Sequence, residues 1–318
     1  MLVDSFGRVH NYLRISVTDR CNFKCLYCNP FFIYKNKKEL LSFEQIYRIA
    51  KILVNNGVEK IRITGGEPFV RKGLINFLYK LSDLKIKELN ISTNGYLLDN
   101  HLDSLIKIPK IKKINISLDT FDSNKFEFIS RVKKDYLYKV IENIKEASKF
   151  FEVKLNAVMM KGINDDEIFD FIDFAYRQKL VVRFIELMPM KGNNYSEETF
   201  ISYREIMERI GERYTLLKIP DPPNSTSKNY EIYEKGKFLC KIGFITSISE
   251  PFCFSCNRLR LTATGNFKPC LFSNLEINMK KFLHLPDEEI LKIILNSLKL
   301  KKLIGVQETE NYMVEMGG

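Results

Sequence analysis

A chain of 318 residues with 45% hydrophobic and 12% aromatic content is long enough for one large core, or for a barrel with a smaller appendage. A formal charge of +11 points to an anionic partner without choosing among nucleic acid, a membrane surface and a phosphorylated small molecule. No apolar run is long enough to span a membrane and no signal-type stretch precedes the cysteines, so the expectation is a cytoplasmic protein with metal-bound thiolates rather than a disulfide framework.

Residues 13–18 alternate in Ile15 and Val17 and predict a first strand. It runs into Thr18-Asp19-Arg20-Cys21-Asn22-Phe23-Lys24-Cys25-Leu26-Tyr27-Cys28. The C-x3-C-x2-C spacing suits three thiolates around one corner of an iron–sulfur cube, leaving the fourth iron without a protein ligand. A zinc knuckle is the blander alternative, but zinc takes four ligands at paired spacings, and no fourth Cys or His is near. Ser42 and Gln45 then fit a capping box, and Ile46, Ile49, Ala50, Leu53 and Val54 form a helical stripe that Gly57 ends. A strand over 58–64 leads to Gly65-Gly66-Glu67-Pro68 and a helix from about Lys72. The glycines allow close backbone approach, and the Glu67 carboxylate can meet an ammonium.

The unit recurs. Residues 89–92 lead to Thr93-Asn94-Gly95, residues 114–117 to Leu118-Asp119, and 153–159 precede a helix over 165–178. Residues 180–185 lead to Glu186-Leu187-Met188-Pro189. About six strand–helix alternations predict an α/β fold with a parallel sheet, a partial (β/α)6 TIM-type barrel over residues 1–219. The stretch Asp-Pro-Pro-Asn-Ser-Thr-Ser near 220–227 reads as a linker. Beyond it, residues 220–318 form a smaller α+β segment closing the open side, with strands near 230–233, 239–245, 258–263 and 266–269 and a helix over 287–298.

Cys253-Phe254-Ser255-Cys256 and Cys270 make a second triad. It reads as a second three-cysteine cluster, or as a zinc site with Cys240 as fourth ligand. Cys240 lacks a C-x2-C partner and sits in an apolar strand, which favours the cluster. Between these cysteines, Arg258 and Arg260 share one strand face while Leu259 and Leu261 share the other. Their guanidinium forks suit phosphate and planar acceptors. Lys60 and Arg62 alternate on one strand, with Lys154 and Arg183 on others; cations pointing into a barrel are costly unless an anion pairs with them, and exposed strand ends are the alternative.

The stretches TDRCNFKCLYC, ITGGEPFVR, RFIELMPM and CFSCNRLRLTATGNFKPCLF, with the terminal Gly-Gly, resemble the GTP 3′,8-cyclase family of radical S-adenosylmethionine (SAM) enzymes, which begin molybdenum cofactor synthesis. The likeness runs from about Phe6 to Gly318, with two departures: Asn29 where Met is usual, and Met316 where Ile commonly precedes Gly-Gly. The resemblance implies two [4Fe–4S] clusters and SAM, the first cluster on Cys21, Cys25 and Cys28 and an auxiliary one on Cys253, Cys256 and Cys270. It places SAM against Tyr27, Gly66, Glu67, Asn94, Ser117 and Met188, with Thr93 close by. It gives GTP to Arg14, Lys60, Arg62, Thr93, Lys154, Arg183, Arg258 and Arg260. The same resemblance assigns the catalytic roles to Arg14, Arg258, Arg260, Gly317 and Gly318. A 5′-deoxyadenosyl radical would take hydrogen from C3′ of GTP, and C3′ would close onto C8 of guanine. Implied partners are GTP, an external one-electron reductant and the cyclic pyranopterin monophosphate synthase that receives the product, with no membrane or nucleic acid; a homodimer is allowed. Two rival readings are a radical SAM peptide-maturation enzyme with an auxiliary cluster, and a basic metal-binding protein that docks on nucleic acid.

Overall fold

The computed structural model describes residues 1–29, 31, 34–193, 195–305 and 312–316. From β1 (Tyr12–Ser16) the chain passes through the first cysteine loop to α1 (Phe43–Asn55) and β2 (Lys60–Thr64). Then come α2 (Leu74–Ser82), β3 (Glu88–Thr93), α3 (Leu102–Ile106) and β4 (Lys113–Ser117). Helices α4 (Ser123–Ser130) and α5 (Tyr136–Ser148) precede β5 (Glu152–Met159), and α6 (Ile168–Gln178) precedes β6 (Val181–Glu186). The remainder holds α7 (Tyr203–Gly211), β7 (Thr215–Lys218), β8 (Lys228–Glu234) and β9 (Lys237–Ile245). It ends with β10 (Arg258–Leu261), β11 (Asn266–Lys268), β12 (Ile277–Asn278), α8 (Asp287–Lys299) and α9 (Met313–Met316).

All the strands share one sheet in the order β12-β11-β10-β1-β2-β3-β4-β5-β6-β9-β8-β7. The expected six parallel strands are its middle. The C-terminal segment reaches the open side from both edges, because β9 pairs parallel with β6 and β10 pairs parallel with β1. Strands β7, β8 and β9 form an antiparallel meander across the proline-rich stretch. Helix α7 and strand β7 are elements that the sequence reading did not anticipate.

Alternation along the strands separates two environments. Leu13, Ile15, Ile61, Ile63, Leu155 and Val182 are fully buried in the main apolar core, which the flanking helices share. Helix α1 shows how local sequence sets that packing. Ser42 Oγ accepts from the Gln45 N–H at 3.2 Å, and Gln45 Oε1 accepts the Ser42 N–H at 2.9 Å, closing the anticipated capping box. Its buried stripe includes Ile46, Ile49, Ala50 and Leu53. Arg48, on another face, reaches Asp287 of α8 at 2.8 Å and ties the tail to the barrel. The opposite, inward strand face carries Arg14, Arg62, Asn115, Lys154, Asn156 and Arg183, a polar row that an ordinary core does not hold.

Candidate active site

The first cysteine loop begins where β1 ends, at the C-terminal edge of the sheet where parallel α/β folds place their sites. Thr18 Oγ1 accepts the Arg20 N–H at 3.1 Å, and Asp19 accepts the Lys35 N–H, fixing both ends of the loop. The glycine turn after β2 packs directly on it: Gly66 N–H donates to the Thr18 carbonyl at 2.6 Å and Glu67 N–H to the Arg20 carbonyl at 2.8 Å. A Cβ on Gly66 would stand 2.3 Å from the Arg20 carbonyl oxygen, so this closeness requires glycine. If both cysteine triads hold iron, replacing Gly66 with Ala is therefore expected to remove most of that bound by Cys21, Cys25 and Cys28 while leaving that of the other triad. Metal analysis of Gly66→Ala beside the Cys25→Ala protein checks this, and wild-type iron content in Gly66→Ala would contradict it.

Glu67 is fully buried and takes the Thr93 hydroxyl at 2.8 Å, the Asn94 N–H at 2.7 Å and the Phe69 N–H at 3.1 Å. Burial pushes its carboxyl up to about 7. The sequence reading, which has this carboxylate meeting an ammonium, missed that it braces the loops after β2 and β3. Asn94 in turn donates to Asn22 Oδ1 at 2.8 Å and stands 3.7 Å from Cys21 Sγ. Tyr27 donates its hydroxyl proton to Asp119 Oδ2 at 2.7 Å, and Asp119 Oδ1 accepts the Val158 N–H at 2.8 Å. Burial pushes the Asp119 carboxyl up to about 6. Asp119 had no role in the sequence reading beyond marking a strand end. Ser117 is exposed at the end of β4, and Met188 is half-buried after β6 with its carbonyl held by Asn193 Nδ2 at 2.7 Å. Glu186, in the same stretch as Met188, accepts the Ile248 and Ser249 N–H groups at 2.9 and 3.0 Å. It thereby anchors the segment leading to the second cysteine pair.

Cys21, Cys25 and Cys28 lie within electrostatic reach of one another. Burial pushes the Cys28 thiol up to about 12 and those of Cys21 and Cys25 well above their ordinary value. Thiols in this setting ionise only against a cation, as a bound metal would supply. In the second set, burial opposes the Cys256 thiolate, but Arg258 and Lys301 outweigh it and bring the group down to about 6. Cys270 acts on the same Arg260 and Lys301. Among the described residues no three His, Cys, Asp or Glu side chains converge as ligands of one ion would. Cys240 does not complete a zinc site: it is buried in the core, with its Sγ 3.8 Å from the Ile172 carbonyl of α6.

Between the two triads, the polar row converges. Arg14 is in register with Arg260 on one side and Arg62 on the other. Arg62 donates to the Tyr12 hydroxyl and, at 3.2 Å, to Ser92 Oγ. Burial resists ionisation of Tyr12, yet Arg62, Arg14 and Lys60 outweigh it and bring the phenol down to about 8. Burial, then the Arg62 charge, pushes the Arg183 guanidinium down to about 9. Arg62 and Arg183 sit on β2 and β6, so the sheet curls enough for the two to feel each other. Arg183 Nε and Nη2 and Arg260 Nη1 are buried with no hydrogen-bond partner among the described residues, as are Asn115 Oδ1 and Asn156 Oδ1. Lys60 and Lys154 differ from them, since each is paired, with Glu88 at 2.7 Å and Glu152 at 3.1 Å. Arg258 packs over the Phe252 ring at 4.4 Å. Tyr12, Asn115 and Asn156 escaped the sequence reading because their place in the row depends on strand register.

The chain end returns to the first cysteine loop. Val314 and Met316 of α9 are buried, the Val314 N–H donates to the Cys28 carbonyl at 3.4 Å, and Glu315 pairs with Lys35 at 3.3 Å. Asn29, one of the two departures, is likewise buried beside this contact. A cavity of about 140 Å³ separates α9 from Asp19 and the 262–264 turn. Gly317 and Gly318 lie outside the described residues.

Residues 15–175 match the Radical SAM superfamily, and residues 180–304 match Molybdenum Cofactor Synthesis C. A GTP 3′,8-cyclase from Arabidopsis thaliana is 41% identical over the whole chain, which covers 84% of that protein. The chain belongs to the GTP 3′,8-cyclase family. A second family member, from Thermodesulfovibrio yellowstonii, is 41% identical, with 94% of each protein covered. Molybdenum cofactor biosynthesis protein 1 of Dictyostelium discoideum is 42% identical over 95% of the chain, which spans about half of that longer relative (49%). Among solved structures, Streptococcus suis SuiB bound to S-adenosylmethionine shares the fold, with a TM-score of 0.62 at 20% identity over 86% of this chain and 64% of that one. An anSMEcpe structure with bound AdoMet does so with a TM-score of 0.52 at 15% identity, covering 87% and 81%. Both confirm the partial-barrel architecture and no more. As a member of the GTP 3′,8-cyclase family the chain is a radical SAM enzyme, with two [4Fe–4S] clusters and SAM as its cofactors. No described helix is long and apolar enough to cross a membrane.

Proposed function

We propose that this enzyme converts GTP to (8S)-3′,8-cyclo-7,8-dihydroguanosine 5′-triphosphate, the opening step of molybdenum cofactor synthesis. The observation that carries the substrate is the row of Arg183 and Arg260, whose buried Arg183 Nε and Nη2 and Arg260 Nη1 have no partner among the described residues, in a lumen lined by further arginines. Unpaired buried cations are costly, and a polyphosphate offers the acceptors they lack. A peptide substrate has no such need, which favours the nucleotide over the peptide-maturation reading. The row is inside the barrel, which disfavours a nucleic-acid docking face.

Bound together, the first cluster and SAM supply a one-electron cleavage that leaves a carbon radical able to take the C3′ hydrogen of GTP. The chain's own residues hold the two partners in place. Cys21, Cys25 and Cys28 hold the SAM cluster, while Tyr27, Gly66, Asn94, Ser117 and Met188 shape the SAM pocket, with Glu67 and Thr93 bracing it. Cys253, Cys256 and Cys270 hold the auxiliary cluster against the guanine edge. Arg14, Arg258 and Arg260 orient the purine and ribose, and Arg62 and Arg183, with Lys60 and Lys154 at the rim, face the triphosphate. Holding C3′ next to the attacking carbon turns the hydrogen transfer into a step within one complex. Gly317 and Gly318, two residues without side chains, complete the catalytic set with Arg14, Arg258 and Arg260. An external reductant supplies two electrons, one for SAM cleavage and one that, with a proton from water, reduces the cyclised nucleotide radical, and the product passes to cyclic pyranopterin monophosphate synthase. Seven free cysteines suit a reducing cytoplasm.

Anaerobic incubation with GTP, SAM and a strong reductant tests this reading, which requires deoxyadenosine and a cyclised nucleotide together. A finer test isolates the phosphate contacts. Arg183→Ala is expected to weaken GTP binding by roughly ten- to a hundredfold, since a charge-assisted hydrogen bond contributes about 1.5–3 kcal/mol. Guanosine binding, measured by the same titration, stays close to wild type. Equal losses for both ligands would place Arg183 away from the phosphates.

A further inference from the structure

A buried cation behind the second cysteine set has no part in the reaction as proposed. Lys301, just beyond α8, is 4% exposed, with its Nζ 3.7 Å from Cys256 Sγ and 3.4 Å from the Arg258 carbonyl. Among the described residues no carboxylate pairs with it; the Cys256 sulfur and the Arg258 carbonyl face its ammonium. Burial works against its charge, while Cys256 and then Cys270 support it.

A strap from the chain's beginning fixes Lys301 there. Arg8 donates through Nη1 to the carbonyls of Cys253 and Leu303 at 2.7 and 2.9 Å, and through Nη2 to that of Lys302 at 2.9 Å. Its Nε pairs with Asp4 at 2.6 Å, and the same Asp4 oxygen lies 3.0 Å from His10 Nε2. The Asp4 and His10 side chains are wholly buried, so this strap is part of the interior. It clamps the backbone beside Lys301 to the loop that carries Cys253.

We propose that Lys301 is a positioning residue for the second cysteine set: its ammonium hydrogen-bonds the Cys256 sulfur and raises the reduction potential of the cluster held by Cys253, Cys256 and Cys270. The inference rests on reading that set as a cluster site. A cation at a ligand sulfur favours the more negative, reduced cluster, and hydrogen bonds to sulfur act in the same direction.

Full-length Lys301→Met, Lys301→Gln and Lys301→Arg proteins, loaded anaerobically beside wild type, test it. The second-cluster signal is identified as the one missing from Cys256→Ala, and its midpoint potential is followed by paramagnetic resonance during redox titration, with iron content. Lys301→Met is expected to shift that potential to more negative values, or to empty the second set alone. Lys301→Gln, a donor without charge, falls between it and wild type, and Lys301→Arg stays near wild type. The first-cluster signal is unchanged throughout. Full iron content with an unmoved potential in both Lys301→Met and Lys301→Gln would overturn the proposal, as would an equal shift in Lys301→Arg. Absence of a second-cluster signal from wild type would instead overturn the reading of the cysteine set.

Discussion

Replacing Cys25 with Ala reduces deoxyadenosine formation to background. The Cys25 thiol is buried beside those of Cys21 and Cys28, in a loop held by Thr18, Asp19 and Gly66. Two remaining cysteines do not hold a cubane with one iron open to SAM, and the nearby Asn22 and Asn94 side chains are engaged with each other. Iron analysis should fall from two clusters per chain to one, with the second-set signal retained. Undiminished SAM cleavage in this variant would remove the assignment of the first triad.

Cys256→Ala produces the complementary loss. Cyclised nucleotide disappears, while some SAM cleavage persists uncoupled because the first triad is intact. The variant also strips Lys301 and Arg258 of the sulfur that both face. A buried cation left without its partner costs about 3–5 kcal/mol, so thermal stability drops as well. Quantifying deoxyadenosine and nucleotide products from one reaction separates these effects. Zinc in place of iron at this set in anaerobically prepared wild-type protein would contradict the cluster assignment.

The place of the first cysteine loop, at the end of β1, was legible because its spacing is a short-range property carried by a few adjacent residues. The six barrel strands were legible for a related reason: each is a compact apolar run ending in polar or glycine residues, as in Ile61, Ile63 and Gly65-Gly66. Helix α1 disclosed itself through Ser42 and Gln45. What stayed hidden depends on the third dimension. Strand β7 is short and mostly exposed, so its residues carry little apolar signal. The tail's division between the two sheet edges follows from pairing partners that no local pattern specifies. Arg62 reads as a basic strand residue, but its grip on Tyr12 exists only because β1 and β2 adjoin in register. Asp119 serves Tyr27 from a strand end far along the chain, and Lys301 lies 45 residues from Cys256. The expectation that Lys60 and Lys154 await an anion overlooked Glu88 and Glu152, which meet them at the strand starts.

The central claim is that a radical generated at the first triad takes hydrogen from C3′ of a GTP held by the second. GTP carrying deuterium at C3′, incubated anaerobically with SAM and reductant, tests this through the mass of the deoxyadenosine formed. The account predicts deoxyadenosine heavier by one deuterium, in step with a cyclised nucleotide triphosphate. Unlabelled deoxyadenosine, or labelled deoxyadenosine without cyclised product, would contradict it.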